Sequence, residues 1–207
     1  METLKRTILV GLLAFFITNF SFAQNYKEIQ DAFSDSYQHE SKAEYPKAIE
    51  ALKKVYDEKS YEINLRLGWL TYLSGLFTES TTYYQKAMLI MPLSIEAKLG
   101  FVNPSAAMGN WDQVRTQYTE ILKIDSKNYT ANYRMGLIFY GKKNYAVALK
   151  YFEVIANLYP FDYDALIMYA WCNYFLQKNR EAKVLFNKAL MNKPTDASAL
   201  EGLSLIK

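Results

Sequence analysis

The sequence contains only one cysteine, one histidine, five prolines and eight glycines in 207 residues. A single cysteine cannot form an intramolecular disulfide, so packing alone must hold the fold in an oxidising compartment. The few glycines and prolines exclude collagen-like and low-complexity chains. Apolar residues make up 51% of the chain, which excludes wholesale disorder. We therefore expect a globular chain in which Cys172 is a small buried apolar residue.

The excess of one sign of charge over the other is also small. Lys and Arg number 24 against 21 Asp and Glu, a formal net charge of +3. A nucleic-acid-binding protein would show a clustered basic stripe, so no nucleic-acid partner is expected.

Catalytic and cofactor motifs are absent from the sequence. The one histidine, His39, has no accompanying cysteine or serine motif, and no HExxH, CxxC or EF-hand pattern exists. The segment 141–144 lacks the glycine-rich lead and the Ser or Thr of a phosphate-binding loop. The sequence therefore predicts no enzyme, no cofactor and no metal site.

The N-terminal segment 1–23 has the layout of a secretory signal peptide. Lys5 and Arg6 precede an apolar run at 8–17, and small residues stand three and one positions before Gln24. The alternative is a retained membrane anchor, but a spanning helix needs about 20 apolar residues. We expect cleavage after Ala23, no stable membrane span afterwards, and an exported protein. Its leader resembles those of Gram-negative envelope proteins, which favours the periplasm, with secretion as the alternative.

The rest of the chain repeats itself at a constant interval. A small-residue series, interrupted by Val102, comprises Gly68, Gly136, Ala170 and Ser204. An aromatic series comprises Tyr84, Tyr118, Phe152 and Phe186. Prolines punctuate the repeats at Pro92, Pro160 and Pro194. Several series that share one period indicate a repeat architecture.

Each repeat is predicted to contain two helices. In residues 163–194, apolar residues recur at spacings of three and four on both sides of the polar break 177–179. Pro194 then blocks continuation, because proline lacks an N–H and clashes with the preceding turn. Packing explains the series, since small residues let helices approach and the aromatic side chains fill the space opposite.

This pattern resembles the tetratricopeptide repeat (TPR) family, whose period of about 34 residues is the same. The resemblance implies an all-α fold, a right-handed α-solenoid of helix-turn-helix repeats spanning residues 24–207. The predicted repeats are 29–60, 61–94, 95–128, 129–162 and 163–196, followed by a capping helix at 197–207. The third repeat is degenerate, and the first is the weakest because its junction to the second is two residues short. Pro104, inside the third repeat, is expected to kink or split its helix.

The resemblance also implies that the first helices of the repeats line a concave groove. The residues that this register places in the groove, as candidate partner contacts, are Arg66, Trp69, Tyr72, Asn103, Tyr133, Arg134, Tyr140, Trp171 and Tyr174. Aromatic and Arg side chains dominate the energetics of many interfaces. The alternative is that several of these rings only pad the stack or meet the C-terminal helix.

The predicted function is a non-catalytic TPR scaffold that binds a protein or peptide partner. The resemblance further implies a role in envelope assembly or secretion complexes. Two alternatives remain open: an aromatic groove that stacks on glycan rings, and a structural module that self-associates into a homo-oligomer through its ends. The Lys and Asn clamp of chaperone-tail-binding relatives is not carried over, because Leu65 and Trp69 stand where its residues would be.

Overall fold

The computed structural model describes residues 26–206, which contain eleven helices and no strand. The predicted all-α fold of helix-turn-helix repeats is thus confirmed. The predicted signal peptide at 1–23 and its cleavage site lie outside the described residues. The helices are α1 (26–41), α2 (Tyr45–Lys53), α3 (Tyr61–Leu73), α4 (Phe77–Ile90), α5 (Ile95–Ala107), α6 (Trp111–Ile124), α7 (Tyr129–Gly141), α8 (Tyr145–Leu158), α9 (Tyr163–Phe175), α10 (Asn179–Asn192) and α11 (Ala197–Leu205).

The chain divides into two compact units at Gly109. The N-terminal unit contains α1 to α5, with α3 packed against α2, α4 and α5. The C-terminal unit contains α6 to α11, in which each helix packs against its neighbour in sequence and α11 also contacts α9. Helices pack in sequential order because each hairpin buries its apolar face against the next.

Glycines of the N-terminal unit meet an aromatic ring of a neighbouring helix. Tyr84 on α4 is buried between Gly68 of α3 and Gly100 of α5. A Cβ at Gly68 would stand 2.9 Å from the ring, and one at Gly100 only 2.2 Å. Only a residue without a side chain permits this approach, so the expected role of the small residues is confirmed at Gly68.

The C-terminal unit repeats the same contact. A Cβ at Gly136 of α7 would stand 2.6 Å from Phe152, and one at Gly202 of α11 would stand 2.2 Å from Phe186. Ser204 keeps the register of Gly68 and Gly136 in α11, whereas Gly202 stands three repeat lengths after Gly100 and, like Gly100, meets the ring of the preceding helix. Ser204 is exposed and its hydroxyl donates to the Glu201 carbonyl, whereas Gly202 faces the ring.

N-cap residues set the start of five helices at a constant interval. In each case the side-chain oxygen accepts from the backbone N–H three residues on, which satisfies a donor that the first turn leaves free. These caps, each one repeat length from the next, are Ser60, Ser94, Asn128, Asp162 and Asp196.

The turns inside the repeats also share one geometry. Each contains a residue with positive φ, and two of these are glycines, Gly75 and Gly109. Ala43, Lys143 and Gln177 adopt the same left-handed conformation with side chains that disfavour it.

Pro104 does not split α5, which continues to Ala107. Its ring removes the donor to the Gly100 carbonyl, but only one more turn follows. Of the two predicted effects, the split is therefore wrong, and the kink stays a prediction.

Candidate functional site

A cleft of about 660 Å³ opens in the N-terminal unit on the side of α1, α3 and α5. Two exposed aromatic side chains border it, Tyr37 at 55% and Trp69 at 36% exposed. The residues that line the cleft are Phe33, Tyr37, Tyr61, Glu62, Leu65, Arg66, Trp69, Tyr84, Met91, Glu96, Leu99, Gly100 and Asn103. The first helices of three successive repeats thus supply most of the lining.

Arg66 lies at the base of this cleft and is 8% exposed. Its Nη1 donates to Glu40 Oε2 at 2.6 Å, and its Nε donates to Ser36 Oγ at 3.2 Å. The guanidinium carbon stands 3.8 Å from the centre of the Tyr37 ring, a cation–π contact. These contacts tie α3 to α1 and hold Arg66 in the lining of the cleft, with its Nη2 left without a hydrogen-bond partner among the described residues.

Trp69 uses the same carboxylate. Its Nε1 donates to Glu40 Oε1 at 2.6 Å, so one carboxylate orients both a guanidinium and an indole. The Tyr72 ring lies 5.8 Å from Trp69 and 5.9 Å from Phe77. Because the indole N–H is occupied, Trp69 offers a partner its ring face. Tyr72 supports Trp69 and does not line the cleft.

Gly100 and Tyr84 form the part of the cleft between α3 and α5. Without a side chain at Gly100, the Tyr84 ring reaches α5 and also lines the cleft. Burial raises the pKa of the Tyr84 hydroxyl above its usual value. The space beside Gly100 is therefore filled by a neutral aromatic ring.

Two carboxylates and an amide stand at the exposed border. Glu62 and Glu96 lie in the first turns of α3 and α5, and Asn103 lies two turns further along α5; all three are exposed. The Tyr61 hydroxyl shares a 2.7 Å hydrogen bond with Ser94 Oγ and donates to Glu96 Oε2 at 3.3 Å. Burial is the main cause of the raised pKa of Tyr61. The border of the cleft therefore presents hydrogen-bonding groups and negative charge around an aromatic interior.

The remaining predicted contacts lie in the C-terminal unit. Tyr133 stacks on Tyr129 at 6.0 Å and meets the edge of Phe152 at 5.9 Å. Arg134 is exposed. Tyr140 packs edge-on against Tyr145 at 5.4 Å, and burial raises its pKa to about 12. Two of these three side chains are thus engaged in ring packing within their own unit.

Trp171 meets the C-terminal helix. Its Nε1 donates to Ser198 Oγ at 2.8 Å, and its ring lies 5.1 Å from Phe186. Tyr174 and Phe175 pack against it at 5.6 and 5.7 Å. These contacts match the alternative in which rings fill the stack. Of the predicted residues, Arg66, Trp69 and Asn103 line one cleft.

Sequence reasoning missed the contribution of α1. Phe33 and Tyr37 line the cleft and Glu40 holds Arg66 and Trp69. These residues fall in the repeat whose register is shifted by two residues, so the repeat series do not reach them. The available signal was the composition of residues 26–41, which contain three aromatic and four acidic residues.

A second missed feature joins successive repeats. The first tyrosine of a repeat bonds the N-cap of the next: Tyr129 donates to Asp162 at 3.1 Å, and Tyr163 donates to Asp196 at 2.5 Å. Burial, followed by the nearby carboxylate, raises the pKa of both hydroxyls to about 12. The hydrogen bond from Tyr163 in turn lowers the pKa of Asp196.

Groups that could support chemistry are dispersed. Within residues 26–206, no three His, Cys, Asp or Glu side chains gather as a metal would require. His39 Nδ1 lies 2.7 Å from Glu44 Oε2. Cys172 is fully buried, as expected, and burial raises the pKa of its thiol to about 12. A thiol with that pKa stays protonated at neutral pH and is a poor nucleophile.

No helix within residues 26–206 reaches the length and hydropathy needed to cross a bilayer.

Comparison with known proteins matches one repeat to a family model and the fold to solved structures. Residues 130–162 match the model of a tetratricopeptide repeat. No curated protein matches the chain. A solved TPR protein from Parabacteroides merdae is 20% identical, with a TM-score of 0.72 over 86% of this chain and 72% of that chain. The MamA protein is 19% identical, with a TM-score of 0.69 over 83% and 94%. YrrB, a TPR protein with an unusual peptide-binding site, is 13% identical, with a TM-score of 0.68 over 90% and 97%.

Proposed function

Since residues 130–162 match a tetratricopeptide repeat model and the fold is that of solved TPR proteins, we propose that this chain is a non-catalytic TPR scaffold whose N-terminal cleft binds a short segment of a partner protein. The observation that carries this proposal is the cleft between α1, α3 and α5, with Tyr37 and Trp69 exposed at it. A volume of about 660 Å³ is within the range of well-formed ligand sites. It accommodates a few side chains of a peptide rather than a whole domain.

The arrangement of the cleft suits recognition of a segment. Glu40 bonds both Arg66 and Trp69, and Arg66 contacts the Tyr37 ring. The Trp69 and Tyr37 rings are therefore positioned before a partner binds. Preorganisation of this kind lowers the entropy lost on binding. The peptide-binding site of YrrB supports the same class of ligand for this fold.

The cellular part of the proposal depends on residues 1–23. We place the protein in the cell envelope, in the periplasm, as a component of an assembly or secretion complex. The basic start, apolar run and small residues before Gln24 support export. N-terminal sequencing of the protein from fractionated cells is expected to begin at Gln24 in the periplasmic fraction. A cytoplasmic protein that retains Met1 would contradict the export proposal.

Peptide binding is tested by selecting a phage-displayed random peptide library on the purified protein. The affinity of enriched peptides is then measured by fluorescence polarisation. Trp69→Ala removes the ring at the cleft, and Asn103→Arg obstructs the cleft from an exposed position. Both are expected to weaken binding about tenfold, which corresponds to about 1.4 kcal/mol. Trp111→Ala is the matched control, because Trp111 is 58% exposed and outside the cleft.

The peptide selection, together with a glycan array and sedimentation, separates the alternatives. Enriched peptides that bind the variants and wild type equally would contradict the cleft as the site. A glycan array with hits where the peptide library yields none would favour glycan stacking. Concentration-dependent sedimentation without peptide binding would favour a self-associating module.

A further inference from the structure

The cleft of the N-terminal unit carries an excess of negative charge. Glu62 and Glu96 occupy equivalent positions, one repeat length apart, at the exposed starts of α3 and α5. Arg66 is the sole cation among the described residues that line the cleft, and Glu40 already pairs with it at 2.6 Å. Two exposed carboxylates are therefore left facing the space that a partner would enter.

The charge of the whole unit has the same sign. Residues 26–109 contain nine Lys and Arg against eleven Asp and Glu, a net charge of −2. Residues 110–207 contain thirteen against nine, a net charge of +4. Summed charge of one sign at a low-dielectric cleft raises the local concentration of oppositely charged ligands. The negative charge of the N-terminal unit therefore favours a cationic ligand.

A buried donor of Arg66 indicates which acceptor group the ligand must also carry. Arg66 is more than nine-tenths buried and lines the cleft, and its Nη2 has no hydrogen-bond partner within the described residues. Such a donor gains from any oxygen acceptor. A carboxylate brought there would meet the negative charges of Glu40, Glu62 and Glu96, whereas a peptide carbonyl is a neutral acceptor.

The aromatic lining suits the stem of a long basic side chain. Lys and Arg lay their methylene groups along apolar surface and keep the charged head at a polar edge. Leu65, Leu99 and the exposed Trp69 ring supply that apolar surface. Cations are also attracted to exposed aromatic faces such as that of Tyr37.

We propose that the partner segment carries a Lys or Arg whose cationic head binds between Glu62 and Glu96. Its stem lies on the aromatic and leucine side chains of the cleft, and a main-chain carbonyl accepts from Arg66. This inference rests on the proposed function, because it names the chemistry of the segment that the same cleft binds.

The test compares peptide selections on charge variants. The library is selected on the wild-type protein and on the double variant Glu62→Gln, Glu96→Gln, which keeps shape and hydrogen bonding but removes both charges. Wild type is expected to enrich Lys and Arg. The enriched peptides should bind the double variant about fivefold to tenfold more weakly at low salt, since each exposed ion pair contributes modestly. Raising the salt should weaken binding to wild type more than to the variant.

The matched control is Glu58→Gln with Glu79→Gln, two exposed glutamates of the same unit that do not line the cleft. This variant changes the unit's net charge equally and is expected to keep the wild-type affinity within about twofold. The charge-reversing pair Glu62→Lys, Glu96→Lys is expected to enrich Asp and Glu instead.

The outcomes separate the two proposals. Peptides that lose affinity with Trp69→Ala but show no Lys or Arg enrichment overturn the cationic segment and leave peptide binding in place. An equal loss in the control variant means that only net charge acts, and it overturns the specific role of Glu62 and Glu96. Absence of any peptide sensitive to Trp69→Ala overturns the proposed function itself.

Discussion

The two units use side chains at equivalent repeat positions in different ways. Trp69 and Trp171 stand three repeat lengths apart in the sequence. Trp69 donates its N–H back to Glu40 of α1, and its ring stays 36% exposed beside a cleft. Trp171 donates its N–H forward to Ser198 of α11 and packs against Phe186. Repeat register therefore determines which helix face a residue occupies, but the neighbouring helix determines whether the side chain is available to a partner.

Two arginines at equivalent repeat positions also differ in burial. Arg66 and Arg134 are two repeat lengths apart, and register places both in a groove. Arg66 is buried under Tyr37 and paired with Glu40, whereas Arg134 is exposed. One residue type at one register position thus stabilises a unit in the first case and is a surface charge in the second.

The largest expected effect is on the free energy of unfolding, where variants of Arg66 and Arg134 should differ. Arg66→Met leaves Glu40 without its charged partner in a largely buried setting and is expected to cost about 2–3 kcal/mol. Arg134→Met removes an exposed charge and is expected to change stability by less than about 0.5 kcal/mol. Urea denaturation followed by circular dichroism measures both. Equal costs would contradict the distinction between a buried tie and a surface charge.

A second variant tests the contact that both units share. Gly136→Ala places a Cβ where Phe152 lies 2.6 Å away, so overpacking is expected to cost about 1–3 kcal/mol. The control is Gly141→Ala, at the end of the same helix with nothing within 4 Å. That change should be neutral or slightly stabilising, because alanine favours helix over glycine. A neutral Gly136→Ala, measured by thermal unfolding, would show that the ring moves aside freely.

The smallest effect concerns the tyrosines that bond the next N-cap. Tyr163→Phe removes a 2.5 Å bond to a carboxylate, whereas Tyr61→Phe removes a bond shared with a serine hydroxyl and a longer, 3.3 Å bond to Glu96. The first is expected to cost about 1 kcal/mol at pH 7 and the second somewhat less, since charge-assisted bonds are stronger. Urea denaturation of both variants measures the difference. The opposite order would contradict the role assigned to Asp196.

The pH dependence of the Tyr163→Phe effect has a defined sign. The folded pKa of Asp196 is below 3.8, chiefly because of the bond from Tyr163. Its contribution is therefore present above the unfolded pKa and is lost as the pH falls through the lower folded value. The stability difference between wild type and Tyr163→Phe should shrink below about pH 4. A difference that grows on acidification would contradict this assignment.

Most of the fold could be predicted from the sequence. The repeat series predict the paired helices and the close contact of Gly68 and Gly136 with the rings opposite. The five N-caps stand in the sequence at the same interval and carry the same signal. Local patterns are sufficient here, because each helix packs mainly against its sequence neighbours.

The candidate site was less accessible to sequence reasoning. The burial of Arg66 depends on Glu40 and Tyr37, which lie on α1 in a repeat shifted by two residues. No repeat series connects these side chains to α3. The pairing of Trp171 with Ser198 likewise depends on how α11 packs, which periodicity does not specify. Availability to a partner is a property of tertiary contacts rather than of register.

The three tryptophans together test whether the binding site lies in the N-terminal unit. Trp69 borders the cleft, whereas Trp111 and Trp171 belong to the C-terminal unit. A ¹H–¹⁵N spectrum with assigned indole N–H signals, recorded during titration with a selected basic peptide, reports on each separately. We expect the Trp69 signal to shift in a saturable way while the Trp111 and Trp171 signals stay in place. A saturable shift of Trp111 or Trp171 with no change at Trp69 would contradict it.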